Sequence, residues 1–255
     1  MRGILGSVLL CAAALAACGG GGDESPQSPS GLWGFGSNDP SGAVAIISSA
    51  GQAIFYTADG EIFTGTAEVS GSDLTIAVEG YSEFQTTFSD GSTHGTGKLS
   101  GTVRTGDTLT ASLTFTTDGG TPITADWTLP YYSFYEVSSL SDISSAATGF
   151  IGGGPGTTIF IDPSGVVSSQ TTSGGCVLNG AVSTADPAHN VYEVSYTYTG
   201  CSGAWQALNG VPLTGLAFNS TNNVPGKLAP LQFTFVVTGA SATAKYGLLS
   251  TLVAE

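Results

Sequence analysis

The sequence predicts an all-β protein made of two tandem antiparallel, up-and-down, β-barrel-like domains. Apolar and polar residues alternate with a period of two along most of the chain after Ser30, as in strands with one buried face. Glycine-containing turns separate these runs. The chain also matches itself at an offset of about 115 residues, which suits one small barrel per copy. Closing each sheet would remove its exposed edges.

Residues 1–17 have the pattern of a signal peptide. Arg2 precedes an apolar run that is too short to span a bilayer of about 30 Å as a mature helix. The run ends in Leu15-Ala16-Ala17-Cys18, which resembles the lipobox of bacterial lipoproteins. This resemblance implies cleavage before Cys18, a diacylglycerol thioether on its sulfur, and a further acyl chain such as palmitate on its amine. Cleavage by an ordinary secretory peptidase is the alternative.

The residue after Cys18 predicts the membrane to which the protein is sorted. In the enterobacterial sorting pattern an aspartate there retains a lipoprotein in the inner membrane, whereas this chain has Gly19, which implies the outer membrane. Whether the protein faces the periplasm or the cell surface stays open. Residues 18–30 contain glycines, serines and prolines with no apolar side chain after Cys18, so we expect a lipidated, flexible tether.

The charge balance excludes some partners. After residue 17 the chain has four basic and nineteen acidic side chains. Lys98, Arg104, Lys227 and Lys245 are isolated from one another in the sequence, whereas nucleic acids are bound by clustered Lys and Arg. We therefore expect no nucleic-acid partner, and membrane association only through acyl chains. Charged residues make up 9% of the chain, which leaves few groups for acid or base chemistry.

Two cysteines remain once Cys11 is assigned to the apolar run and Cys18 to the anchor. We predict that Cys176 and Cys201 form a disulfide, because exported proteins meet an oxidising compartment. A redox or zinc site would need Cys-x-x-Cys spacing or histidine partners, and these cysteines have neither.

The two predicted domains cover residues 31–137 and 145–255, with a joint at 138–144 that could form one helical turn capped by serine or aspartate. The clearest alternating strands are 74–78, 109–115 and 192–198. The internal match pairs the following segments: Gly31-Leu32-Trp33 with Gly149-Phe150-Ile151, Gly51 with Gly165, and residues 60–65 with 175–180.

The second half carries a more particular resemblance. Its motifs are Ser138-Ser139-Leu140, Ile159-Phe160-Ile161-Asp162, Gly175-Cys176-Val177, Asn190-Val191-Tyr192, Cys201 and Thr214-Gly215-Leu216-Ala217. They resemble a group of uncharacterised two-repeat lipoproteins of Gram-negative bacteria, and the resemblance implies architecture rather than an activity. In addition, Gly31-Leu32-Trp33 resembles the opening strand of lipocalins, which implies lipocalin-like or calycin-like barrels, and the doubled small barrel is similar in plan to transferrin-binding protein B.

No pattern of residues indicates catalysis. His94 and His189 lie in turn-like contexts, so we expect solvated loop groups, although either could pair with a carboxylate and a serine. No Gly-x-Ser-x-Gly elbow is present. Residues 152–156 are rich in glycine, but a strand pattern follows them, which favours a hairpin connection over a phosphate-binding loop. We expect no cofactor and no metal, since calcium loops need oxygen ligands at alternate positions.

Two aromatic groups are candidates for a ligand cavity. They are the cluster Tyr131, Tyr132, Phe134 and Tyr135 and the tyrosines of residues 192–198. They could line a hollow barrel, fill a packed core, or form the seam between the two copies.

These observations favour a non-enzymatic lipoprotein that binds a protein partner through the loops around 88–96, 117–123 and 218–227. One alternative is a carrier of a small apolar ligand, with room inside the second barrel if Leu178, Ala181 and Val182 point inward. Another is a barrel-type protease inhibitor that inserts the tether or the 218–227 loop into an active-site cleft.

Overall fold

The computed structural model describes residues 27–36, 42–133, 137–144, 149–152, 158–170, 175–221 and 231–254. Two eight-stranded antiparallel sheets account for most of these residues, which confirms the all-β, two-part prediction. Within the described residues, no helix is both long enough and apolar enough to cross a bilayer.

The first sheet contains eight strands in chain order. They are β1 (Gly31–Trp33), β2 (Val44–Ile47), β3 (Gln52–Tyr56), β4 (Glu61–Ser70), β5 (Asp73–Ser82), β6 (His94–Arg104), β7 (Thr108–Thr117) and β8 (Pro122–Pro130). This sheet is a half-barrel rather than a closed barrel. Among the described residues, β1 meets the other edge of the sheet at a single bridge, between Trp33 and Tyr131, the residue that follows β8.

The second sheet closes completely. Its strands are β9 (Phe150–Gly152), β10 (Thr158–Ile161), β11 (Val166–Gln170), β12 (Val177–Asp186), β13 (Val191–Thr199), β14 (Leu213–Thr221), β15 (Leu231–Ala240) and β16 (Lys245–Ala254). Strand β9 pairs with both β10 and β16, which completes the barrel. The antiparallel pairing of β9 with β10 confirms a hairpin across the glycine-rich segment, although residues 153–157 themselves lie outside the description.

The predicted alternation is confirmed in the long strands. In β5, Leu74, Ile76 and Val78 are buried, and the residues between them are exposed or half-buried. Strands β7 and β13 follow the same pattern, with the alternate positions of 109–115 and 192–198 facing a core. The core of the first sheet includes these large side chains: Trp33, Phe55, Phe63, Phe115 and Trp127.

The internal match corresponds to equivalent turns in the two halves. Gly51 and Gly165 both have positive φ, at 84° and 85°. Each glycine donates its N–H to the carbonyl of the residue three positions earlier. The carbonyl of each accepts from a later strand: Ala67 of β4 donates to Gly51 at 2.7 Å, and Val182 of β12 donates to Gly165 at 2.8 Å. These shared hydrogen bonds and left-handed backbones explain why glycine stands at both positions.

The predicted tether is shorter than expected at its folded end. Gln27 N donates to the Gly71 carbonyl at 3.0 Å, and Ser28 N donates to Thr105 Oγ1 at 2.7 Å. The Pro29 carbonyl accepts from the indole of Trp33 at 2.8 Å. Residues 27–30 therefore belong to the folded body, whereas 18–26, the signal peptide and Cys18 lie outside the described residues.

The predicted joint forms the expected helical turn. Helix α1 (Leu140–Ile143) begins after Ser139, whose hydroxyl accepts from Ser141 N at 3.2 Å and caps the helix. Ile143 is fully buried in the core of the closed barrel. Tyr192 reaches the same segment, since its hydroxyl donates to the Ser139 carbonyl at 3.2 Å. The joint therefore packs into the core of the second barrel and is not a detached linker.

Candidate functional site

The outer surfaces of the two sheets pack against each other along an apolar seam. Strands β1 to β5 contribute one side and β13 to β15 the other. The seam consists of Leu32, Val44, Ile46, Ile54, Tyr56, Ile62, Tyr81, Val191, Leu216, Phe218 and Val236. Strand β2 is apolar at every position because both of its faces are covered. Ala45 and Ile47 face the first core, while Val44 and Ile46 face the seam. A strand that is covered on both faces carries an unbroken apolar run.

A segment after β5 crosses from the first sheet to the second barrel. Phe84 N donates to the Gly247 carbonyl at 2.7 Å, beside a parallel bridge between Glu83 and Gly247. The Phe84 ring lies 5.0 Å from that of Trp205 and 6.1 Å from that of Tyr246, measured between centroids. The first half therefore covers part of the mouth of the second barrel.

Near this segment, a cluster of charged and polar side chains connects the two sheets across the seam. Lys245 Nζ lies 3.0 Å from His94 Nε2 and 3.4 Å from Glu79 Oε2. His94 Nδ1 lies 3.1 Å from Asp118, and Tyr81 donates to Glu79 at 2.6 Å. An ammonium group has no lone pair to accept with, so it donates to Nε2, and His94 then carries its proton on Nδ1 and donates it to Asp118.

The expectation for His94 was wrong. It begins β6 and is 7% exposed, because the neighbouring β5 and the β7–β8 turn enclose it, with Lys245 reaching across from the second barrel. His189 does lie in a turn, but it is half-buried and its Nδ1 lies 2.6 Å from Asp186. Both histidines thus have carboxylate partners.

Hydrogen bonds, nearby charges and burial shift the pKa values of several ionisable groups near the seam. The hydrogen bond from Tyr81 lowers the pKa of the Glu79 carboxyl, and the charge of Lys245 acts in the same direction. Burial raises the pKa of the Tyr81 hydroxyl, and Glu79 adds to this effect. Burial also raises the pKa of Glu61, with Asp59 adding to the rise. The cluster therefore favours an ionised Glu79, whereas burial and Asp59 disfavour an ionised Glu61, which lies outside the cluster.

Two adjoining grooves open at this end of the molecule. The seam groove has a volume of about 310 Å³ and is lined by residues 82–87, 93 and 244–246. The rim groove has a volume of about 340 Å³ and is lined by residues 59–61, 82, 86–89 and 123. Ser82, Thr86 and Thr87 separate the two grooves and contribute to both. Phe84, Tyr246, Phe88 and Ile123 supply apolar surface beside the carboxylates of Asp59, Glu61 and Glu83.

The interior of the closed barrel is filled. The space among its inward-facing side chains is about 10 Å³, about enough for one water molecule. Tyr192, Tyr196 and Tyr198 occupy the core, and burial raises the pKa of Tyr192 and of Tyr198 to about 12. Leu178 and Val182 point inward as expected, but Ala181 points outward because it alternates with Val182 along β12.

The other aromatic cluster is divided between two places. Tyr131 packs edge-to-face on Trp33 at the first core, with centroids 4.9 Å apart, and Tyr132 contributes to the seam. Phe134 and Tyr135 lie outside the described residues. The tyrosines thus serve packing at both the core and the seam.

The predicted disulfide is confirmed. Cys176 and Cys201 are bonded with an S–S distance of 2.08 Å, and both are buried. The bond joins the start of β12 to the segment that leads into a 3-10 helix at Gly203–Leu208. Asn209 returns to this segment, accepting from Cys201 N at 2.9 Å and donating to its carbonyl at 3.0 Å.

The predicted partner-binding loops are partly strand. Residues 94–96 belong to β6, 122–123 to β8 and 218–221 to β14, while 222–227 lie outside the described residues. The first two loops lie side by side at the groove end, where Thr117 Oγ1 donates to Asp90. Among the residues that the structure describes, no group of three His, Cys, Asp or Glu could hold a metal ion.

No protein-family model, curated protein or solved structure matches this chain. The seam groove and the charged cluster could not be predicted from the sequence, because they bring together residues that are far apart in the chain. Lys245 and His94 are separated by 151 positions. The sequence did contain one indication of the seam. The run Val44–Ile47 is apolar at every position, as expected for a strand that is covered on both faces.

Proposed function

We propose that this chain is a non-enzymatic lipoprotein of the bacterial outer membrane, anchored by acyl chains on Cys18, whose two-sheet body binds a protein partner. The lipobox-like residues 15–18 and the glycine at 19 support the anchor and its address. The observation that carries the binding role is the pairing of a filled barrel with two open surface grooves.

The filled barrel favours this role over carriage of a small apolar ligand. Ligand cavities in proteins measure about 300–1,000 Å³ and enclose most of the ligand surface. The interior space of about 10 Å³ falls far below that range. The grooves reach the lower end of it, but they open to solvent, the seam groove at the junction of the two sheets and the rim groove beside it on the first sheet, where a partner's side chains can enter.

The geometry of His94 favours binding over catalysis. A general base needs a free ring nitrogen within reach of a nucleophile or substrate proton. In this protein Nε2 accepts from Lys245 at 3.0 Å and Nδ1 donates to Asp118 at 3.1 Å, so both ring nitrogens are engaged. The pair therefore supports a structural link across the seam.

Site-specific photo-crosslinking tests the binding role. A photoreactive amino acid at Thr87, which is exposed between the two grooves, is expected to yield a crosslinked product of defined mass in cells that make the protein. The matched control places it at Thr114, which is exposed on the outer face of β7. We expect a product from Thr87 and not from Thr114. No product from Thr87, or identical products from both positions, would contradict the proposal.

A further inference from the structure

The chain enters the body at one end of the first sheet, which we call the proximal end. It consists of the β4–β5 and β6–β7 turns, residues 70–73 and 104–108. Gln27 N donates to Gly71 in the first turn, and Thr105 N in the second donates to Gln27 Oε1 at 3.0 Å. Ser28 N donates to Thr105 Oγ1 at 2.7 Å, so three hydrogen bonds fix where the preceding chain leaves the body.

The two grooves lie at the opposite end, which we call the distal end. It consists of the turns at 57–60 and 117–121 and the segment 82–93. Strand β5 connects the two ends and is ten residues long. At about 3.3 Å per residue, the ends are roughly 30 Å apart.

The chain before Gln27 is too short to let the body turn over on a membrane. Nine peptide units separate Cys18 from Gln27, and they reach about 30 Å when fully extended. A glycine-rich chain of this length has a root-mean-square span of about 15–18 Å. An acyl chain in the bilayer can therefore hold the proximal end close to the lipid, but the distal end could reach it only with the chain completely stretched.

We propose that the anchored body stands in one orientation, with its proximal turns toward the lipid headgroups and its two grooves facing away from the bilayer. This inference rests on the lipid anchor of the proposed function. It assigns the grooves to the side that a partner can approach without meeting the lipid surface.

Fluorescence quenching by lipids tests the orientation. Ser72→Cys at the proximal end and Ser89→Cys at the distal end are matched substitutions of exposed serines, each then labelled with the same fluorophore. The lipidated full chain is reconstituted in phosphatidylcholine vesicles that contain a headgroup spin-labelled lipid. We expect severalfold stronger quenching at residue 72 than at residue 89. Equal quenching, or stronger quenching at residue 89, would overturn the orientation.

Two controls separate this inference from the anchor itself. Inserting about twenty Gly and Ser residues after Gly22 raises the root-mean-square span to about 30 Å, and we expect the difference in quenching to shrink. An unchanged difference would show that the length of the tether does not set the orientation, contrary to the proposal. A native chain that fails to bind vesicles, like a Cys18→Ser form, would instead overturn the anchor and with it the proposed function.

Discussion

Gly247→Ala probes the close approach of the two halves. A Cβ at this position would lie 2.9 Å from Tyr81 Cβ, 3.0 Å from Ile62 Cδ1 and 3.3 Å from the Ser82 carbonyl oxygen. Two of these atoms belong to the backbone or lie next to it on β5, so they cannot move without shifting the strand. The substitution therefore forces the first sheet away from β16.

The sign of the effect depends on the seam. Without a neighbouring sheet, replacing a strand glycine by alanine would stabilise the protein by about 0.4–1 kcal/mol, because alanine restricts the unfolded chain. Overpacking a tight contact costs about 1–3 kcal/mol. We therefore expect a net decrease of about 1–2 kcal/mol in the free energy of unfolding.

Urea unfolding followed by tryptophan fluorescence measures this change, since Trp127 reports on the first core and Trp205 lies beside Phe84 at the barrel mouth. Ile62→Val removes the Cδ1 atom that the new methyl meets, so it should cost less in the Gly247→Ala background than in the native chain. An unchanged or increased stability of Gly247→Ala, or strictly additive effects, would refute the reasoning.

Two further predictions concern stability. Replacing Cys176 and Cys201 together by alanine should lower the free energy of unfolding by about 3.5 kcal/mol, because the bond closes a loop of 25 residues; a loss below about 1 kcal/mol in chemical denaturation would contradict this. Because the pKa of Glu61 is raised in the folded state, its ionised form lowers stability at neutral pH. Glu61→Gln should therefore stabilise the protein at pH 7 by up to about 1 kcal/mol, and the gain should vanish as the pH falls below the ordinary carboxyl range. The exposed Glu68→Gln is the matched control, and an equal gain there would show that burial of Glu61 is not the cause.

The sequence was informative where periodicity alone decides the structure. Leu74, Ile76 and Val78 alternate with more exposed neighbours, and burial on one face of a strand follows directly from that pattern. The disulfide followed from the small number of cysteines and the expected compartment. The equivalent glycines 51 and 165 marked corresponding turns in the two halves.

The candidate site depended on contacts that periodicity does not encode. The position of His94 in a turn-like stretch suggested solvation, yet it is buried beside Tyr81 and Asp118, and Lys245 contacts it from the other sheet. Closure also differs between the halves, since β9 pairs with both β10 and β16, whereas among the described positions β1 meets the residue after β8 only at the Trp33–Tyr131 bridge. Neither the burial of His94 nor the difference in closure follows from the alternation of apolar and polar residues along a strand.

Metabolic labelling with an alkyne fatty acid tests the central claim, acylation at Cys18, most directly. The native chain and a Cys11→Ser control should both incorporate the label and fractionate with the outer membrane, whereas Cys18→Ser should do neither. An unlabelled native chain, or a Cys18→Ser form with the same label and the same fractionation, would contradict the account.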